Sequence, residues 1–176
     1  MQTDVCFQAA RSAAAEDIEG AEGSSEIADA WRALKRTAAG IDPEAVREEF
    51  EVVFIGTGKA LVTPYATAYR RGSEPPRPAR HPLVLLREFL ASRGLTRREG
   101  VHEPEDHIAG LCEVMRHLVI ENDVPAQRDF YENFLAPSTA GLCAAITASE
   151  RVRFYAPVAR FAAAFFDLER EAAKMD

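Results

Sequence analysis

Cysteine is scarce in this sequence, and its few copies are far apart. The 176 residues include Cys6, Cys112 and Cys143, and an odd number of separated cysteines predicts neither a disulfide framework nor a zinc site. Cys112 and Cys143 both fall on apolar stripes of predicted helices, so we expect their side chains to pack in the core.

Long apolar runs are also missing. No stretch approaches the ~20 apolar residues that span a bilayer. The first residues lack the basic segment followed by an apolar one that marks a secretory signal peptide. Together these absences predict a cytoplasmic protein without stable membrane insertion.

Positive charge is in deficit. Lysine and arginine number 21 against 28 aspartates and glutamates, which gives a net charge of -7. This balance argues against nucleic acid as a partner, because nucleic-acid surfaces need clustered positive charge. It suits a partner with a cationic segment. The arginines around the proline-rich segment, Arg93 and Arg97 among them, are expected to be solvated loop charge.

Helical periodicity is what the sequence has in abundance. Apolar residues recur every three or four positions from residue 26 onward, and no convincing strand alternation is present. Glu51–Ile55 could form a short strand, but it continues the apolar stripe of the helix before it. We predict an all-α, single-domain helical bundle over residues 26–176, preceded by a weakly patterned segment over residues 1–25.

Capping residues and prolines place the helix boundaries. Asp42-Pro43 and Asp123 with Pro125 are typical helix starts, and dense prolines predict an irregular segment over residues 60–82. We expect the last helix to bury Phe154, Val158, Phe161, Phe165 and Leu168. The predicted helices are Glu26–Thr37, Pro43 through Phe54, Leu83 to about Gly94, Glu103–Ile120, Asp123 through Leu135, Pro137 through Ile146, and about Glu150 to Ala173.

The run Gly56-Thr57-Gly58-Lys59 invites comparison with a phosphate-binding loop. Such a loop needs a glycine five positions before the Gly-Lys pair and a serine or threonine directly after the lysine. Val53 and Ala60 occupy those positions. The run therefore predicts a helix end and a turn rather than a nucleotide site.

The most polar cluster, His102–His107, lies at the expected start of the Glu103–Ile120 helix. Its acids could cap that helix, or His102, Glu103 and His107 could serve a small metal-dependent hydrolase. The HExxH spacing is absent, and no Ser-His-Asp or Cys-His arrangement is supported. A peptide-recognition surface fits better, because Asp106 and His107 offer an acceptor beside a donor. We therefore predict no enzyme activity, no catalytic residue, no metal and no cofactor.

Three blocks, in order along the chain, resemble motifs of the TorD/DmsD family of redox-enzyme maturation chaperones. The first is Phe54–Lys59 followed by Pro64–Tyr69, with Thr67 where the family usually has serine. The second is Glu103–Ile108, which is similar to the family's E-PDH signature. A weaker third block runs from Gln127 to Pro137 and continues with Phe154-Tyr155 and the closing Phe-rich helix.

The resemblance implies an all-helical cytoplasmic chaperone, monomeric or a helix-exchanged dimer. Its partners would be the catalytic subunit of a molybdopterin enzyme and that subunit's twin-arginine leader. Carried over residue by residue, it nominates peptide-binding residues in two groups. Asp106 and His107 come first, followed by Glu105, Pro104, Tyr65 and Tyr69. A generic helical adaptor for another partner is the remaining alternative.

Overall fold

The computed structural model describes residues 25–56, 59–69 and 80–172. These ranges contain helices, turns and one isolated antiparallel bridge, and no β-strand. The all-α class is therefore confirmed, whereas the division of the chain at residue 25 stays a prediction. The helices are α1 (Glu26–Ala39), α2 (Pro43–Phe50), α3 (Pro82–Ser92), α4 (Ile108–Ile120), α5 (Val124–Phe130), α6 (Ala136–Thr147) and α7 (Tyr155–Ala172).

Three further helical turns complete the description. Glu51–Ile55 and Tyr131–Leu135 are wide π turns that continue α2 and α5, and Ala66–Tyr69 is a 3-10 turn. Glu51–Ile55 is thus helical, as its apolar stripe predicts. The 3-10 turn lies inside the segment predicted to be irregular, and residues 70–79 of that segment lie outside the described residues.

The described residues form two compact units. The first comprises residues 25–62 and 143–172, and the second comprises residues 63–142. In the first unit α1 packs on α7, where the Trp31 and Phe161 rings lie 5.1 Å apart. In the second unit the rings of Phe89, Phe130 and Phe134 pack with centroid distances of 5.2 to 5.6 Å.

The predicted helix starts at Asp42 and Asp123 are confirmed. The Asp42 carboxylate accepts a hydrogen bond from the Glu44 amide, with Pro43 at the first helical position. The Asp123 carboxylate likewise accepts from the Ala126 amide at 3.1 Å. These short side chains accept the backbone N–H groups that a helix N-terminus leaves without partners.

The end of the second predicted helix is also confirmed. Gly56 has φ +66°, and its amide donates to the Glu51 carbonyl. A Cβ added there would lie 2.6 Å from the Lys59 carbonyl oxygen. Only glycine fits this turn, which accounts for the residue without a phosphate-binding role.

Two predicted helix starts are wrong. The helix expected from Glu103 begins at Ile108, because the backbone of Asp106 and Ile108 is paired with another loop rather than within a helix turn. The helix expected from about Glu150 begins at Tyr155. Its first amides are capped by a distant side chain, Glu49, which the local sequence does not reveal.

A third helix boundary is absent. Pro137 does not start a new helix, because α5, the wide turn and α6 form one continuous helical run. Proline lacks an N–H and its ring crowds the carbonyl four residues before it, here that of Asn133. The π turn Tyr131–Leu135 lies at that carbonyl and provides a wider path for the backbone.

The predicted core is partly confirmed. Phe130, Tyr131, Phe134 and Leu135 are buried, as is Cys143. Five residues on predicted apolar stripes are instead exposed: Phe50, Cys112, Val119, Phe165 and Leu168. Periodicity identifies the apolar face of a helix correctly but does not say how much of that face its neighbours cover.

We expect Glu49→Ala to lower the free energy of unfolding by about 1–2 kcal/mol, the usual cost of losing a helix cap. The two carboxylate oxygens of Glu49 each accept a 3.0 Å hydrogen bond, from the amides of Phe154 and Tyr155. Urea denaturation measures the change. Glu48→Ala, on the exposed side of the same helix, is the control and should differ from wild type by less than about 0.5 kcal/mol.

Candidate peptide-binding site

Backbone pairing joins the two sequence blocks that carry the resemblance. Tyr65 and His107 form an isolated antiparallel bridge. The Ala66 amide donates to the Asp106 carbonyl at 2.8 Å, and the Ile108 amide donates to the Pro64 carbonyl at 2.9 Å. The loop 103–107 and the segment 64–69 therefore form one continuous candidate site in the second unit.

Asp106 lies beneath this site rather than on it. The residue is 4% exposed, and its Oδ2 accepts hydrogen bonds from the Thr67 hydroxyl at 2.6 Å and the Thr67 amide at 3.3 Å. A carboxylate with these internal partners is stable in a buried position. Its first role is to fasten the two segments together.

The space behind Asp106 is too small for a ligand. A cavity of about 10 Å³ lies among Asp106, Thr67 and apolar neighbours such as Leu86, Leu111 and Phe134. That volume is at the lower limit for a single water molecule. A cavity of this size cannot hold a peptide side chain, so any surface for a peptide would lie on the outer side of the loop.

His107 faces partly outward and caps α4. Its Nδ1 accepts a hydrogen bond from the Ala109 amide at 3.2 Å, so the neutral ring carries its proton on Nε2. The Tyr65 ring packs edge-on against the imidazole, with centroids 5.5 Å apart. This arrangement fixes the ring and leaves Nε2–H as a donor.

Glu105 is held by two arginines. Arg87 donates to Glu105 Oε2 through Nε at 3.1 Å and Nη2 at 3.0 Å, and Arg97 Nε lies 3.3 Å from Oε1. Burial by itself would raise the pKa of Glu105, but the Arg87 hydrogen bond and the charges of Arg87 and Arg97 outweigh it and lower the pKa. Both oxygens of this carboxylate are already occupied.

We expect the Glu105 pairs to stabilise the protein only where the carboxylate is ionised. Because the folded-state pKa is below the ordinary value of 4.5, the contribution is fully present above that value and is lost as the pH falls through the folded-state pKa. Half-exposed arginines limit it to about 1 kcal/mol. Urea denaturation of Glu105→Gln between pH 3 and 7 should show a smaller loss toward acid than wild type does, and identical pH profiles would contradict this assignment.

Tyr65 and Glu103 form an exposed pair at the rim. The Tyr65 hydroxyl donates to Glu103 Oε2 at 2.7 Å. This hydrogen bond, with some burial and the nearby negative charge, raises the pKa of Tyr65. Pro104 is exposed between Glu103 and Glu105, and its carbonyl accepts from the His107 amide at 3.2 Å.

Tyr69 supports the site from the interior. Its hydroxyl donates to the Thr63 carbonyl at 2.6 Å, and its side chain packs directly over Gly141. Burial raises the pKa of this phenol. Of the six predicted residues, Tyr65, Pro104 and His107 reach the surface, whereas Glu105, Asp106 and Tyr69 are held largely by internal contacts.

Sequence reasoning missed four residues of this network: Thr67, Arg87, Arg97 and Glu103 as a partner of Tyr65. Thr67 lies in the first motif block, but its carboxylate partner is 39 positions away. Arg97 was expected to be solvated and is instead paired. No local signal identifies such partners, because the bridge that brings them together is a tertiary contact.

The described ranges contain neither a grouping of metal-ligating side chains nor a helix that could cross a membrane. In the described ranges, no three His, Cys, Asp or Glu side chains are grouped so as to hold a metal ion. Within the same ranges, no helix has both the length and the apolar character that crossing a membrane requires.

Comparisons with known proteins agree with the family resemblance of the motif blocks. A family model described as nitrate reductase delta subunit matches residues 21–144. Chaperone protein TorD of Vibrio cholerae serotype O1 strain O395 is 25% identical over 160 residues, which cover 84% of this chain and 71% of the relative. The TorD of strain M66-2 is 25% identical over 134 residues, and the alignment spans 69% of this chain but only 59% of that relative. No solved structure matches the chain.

Proposed function

Because the chain belongs to the nitrate reductase delta subunit family of TorD-like chaperones, we propose that it is a cytoplasmic chaperone for the catalytic subunit of a molybdopterin oxidoreductase. It binds that subunit, and its twin-arginine leader, while the cofactor is inserted and before export. The relatives are named chaperones, which agrees with the prediction that the chain is not an enzyme.

One observation carries the proposed site. The Tyr65–His107 bridge places the two motif blocks side by side, so a peptide lying across the loop 103–107 would meet both. Pro104, Tyr65 and the Nε2–H of His107 provide the direct contacts. Asp106, Glu105 and Tyr69 hold those residues in position through their internal hydrogen bonds.

The chemistry is binding and release. A twin-arginine leader combines two guanidinium groups with an apolar stretch, and an acidic protein attracts it at long range. No bond is made or broken in the partner. The affinity must be moderate, since the chaperone has to release the leader once the subunit is complete.

Co-purification tests the proposal. The tagged chaperone is co-expressed with a candidate catalytic subunit, with its leader intact, with both leader arginines changed to glutamine, or with the leader deleted. We expect capture in all three cases, and the strongest capture with the intact leader. Failure to capture any form of the subunit would contradict the proposed function.

A pair of histidine variants separates recognition from stability. His107→Ser keeps an N-cap acceptor but removes the Nε2–H donor, so the leader-dependent part of capture should fall. His81 caps α3 in the same way, with Nδ1 accepting from the Leu83 amide at 3.3 Å. His81→Ser is therefore the matched control and should leave capture unchanged. A partner that binds both variants equally well would support a generic adaptor instead.

A further inference from the structure

We propose that Glu103, rather than Asp106, is the carboxylate that meets a leader guanidinium, and that Asp106 positions the loop that presents it. This inference rests on the proposed function and names a ligand contact outside the set of predicted peptide-binding residues. The three carboxylates of the loop 103–107 differ in whether an oxygen is available to a partner.

Asp106 is the least available. It is 4% exposed and bonded twice to Thr67. To reach a guanidinium it would have to break both hydrogen bonds and leave the Thr67 hydroxyl and amide without partners in a buried place. The adjoining cavity of about 10 Å³ cannot admit the arginine instead.

Glu105 is the next candidate, and both of its oxygens are occupied. Oε2 accepts from Arg87 and Oε1 lies 3.3 Å from Arg97 Nε. The side chain is only 14% exposed. A leader arginine would have to displace an arginine that is already in place, with little net gain in charge pairing.

Glu103 differs on each point. Glu103 is exposed, and its Oε2 accepts a hydrogen bond from the Tyr65 hydroxyl at 2.7 Å. Within the described part of the chain, Oε1 makes no hydrogen bond or ion pair. The tyrosine therefore holds the carboxylate in one orientation and leaves its second oxygen toward solvent, so less side-chain freedom is lost when a guanidinium binds.

The surrounding charges do not neutralise Glu103. Arg97 Nη1 lies near, but it donates to the Glu103 backbone carbonyl at 3.2 Å while Nε of the same guanidinium pairs with Glu105. Arg87 also pairs with Glu105. The negative charge of the Glu103 side chain thus remains available, beside the Tyr65 ring and the His107 donor.

Peptide binding distinguishes the two carboxylates. Two fluorescein-labelled peptides share one leader sequence with an apolar stretch and differ only in carrying Arg-Arg or Gln-Gln. Their dissociation constants are measured by anisotropy at two salt concentrations. The proteins are wild type, Glu103→Gln, Asp106→Asn, Thr67→Ser, Thr67→Val and, as a charge-matched control on the same stretch of chain, Glu99→Gln.

We expect Glu103→Gln to lower the affinity for the Arg-Arg peptide about tenfold, since one charge-assisted contact is lost. The affinity for the Gln-Gln peptide should hardly change. Its affinity should also depend less on salt. Glu99→Gln should bind both peptides as wild type does. Asp106→Asn should weaken the binding of both peptides by the same factor, and Thr67→Val should cause the same loss. Thr67→Ser keeps the hydroxyl and should bind both peptides as wild type does.

The outcomes that contradict the inference are distinct from those that contradict the function. If wild type prefers the Arg-Arg peptide and Glu103→Gln leaves that preference intact, the inference is wrong and the proposed function stands. If Asp106→Asn alone abolishes that preference, the guanidinium is assigned to Asp106, and the inference is again wrong. If wild type binds neither peptide, leader recognition itself fails, and the inference fails with it.

Discussion

Replacing Gly141 with alanine should lower the free energy of unfolding by about 3 kcal/mol, the upper part of the usual range for overpacking. A Cβ at this position in α6 would lie 2.5 Å from Tyr69 Cβ and 2.8 Å from Tyr69 Cγ. The backbone fixes the position of Tyr69 Cβ, so a rotamer change cannot relieve the 2.5 Å contact. The 3-10 turn that carries Tyr69 would have to shift away from α6.

Gly110 in α4 provides the matched control. A Cβ there would meet only the Glu105 carbonyl oxygen, at 3.5 Å, which is an ordinary contact. Gly110→Ala should therefore stabilise the protein by about 0.5–1 kcal/mol, because alanine loses less backbone freedom in a helix. Urea denaturation of the two variants should give changes of opposite sign, and a neutral Gly141→Ala would show that the 3-10 turn is free to move.

The same substitution tests how the site is supported. The Tyr69 hydroxyl donates to the Thr63 carbonyl, immediately before the segment that pairs with the loop 103–107. Displacing Tyr69 should therefore disturb the Tyr65–His107 bridge without touching a surface residue. Leader binding that survives Gly141→Ala unchanged would show that this support is not required.

Local sequence signals predicted the helical framework well. Asp42 and Asp123 are caps, Gly56 ends a helix, and the apolar stripe of residues 130–135 is buried, because each feature depends on neighbours within one or two turns. Where helix limits are set from a distance, prediction failed. Glu49 caps α7 although it lies 105 positions before Phe154 in the sequence. No residue near Tyr155 indicates this cap.

The candidate site likewise combines features that the local sequence predicts with features that depend on distant residues. The sequence blocks predict a site at the loop 103–107 and the segment 64–69, and the structure pairs those two segments through the Tyr65–His107 bridge. What the sequence could not supply is which acid is buried and which is exposed. Glu103, Glu105 and Asp106 are chemically alike in a sequence, and only their tertiary partners distinguish a surface carboxylate from a structural one.

Asp106→Ala should destabilise the protein by about 3 kcal/mol, because it removes two hydrogen bonds to a buried charge and leaves the Thr67 donors unpaired. The carboxylate is almost fully covered, so solvent cannot replace it. Asp129→Ala is the control. Asp129 is exposed and accepts from the Asn133 amide group at 2.8 Å, so its loss should cost less than about 0.5 kcal/mol.

A double-mutant cycle assigns the Asp106 effect to its partner. Thr67→Val alone leaves a buried carboxylate with only the 3.3 Å amide hydrogen bond, so it should also destabilise. If the pair acts as a unit, the double variant Asp106→Ala/Thr67→Val should cost less than the sum of the two single changes by about 1 kcal/mol or more. Strict additivity in urea denaturation would mean that Asp106 stabilises the fold independently of Thr67, and the fastening of the segment 64–69 to the loop 103–107 would then rest on the backbone bridge alone.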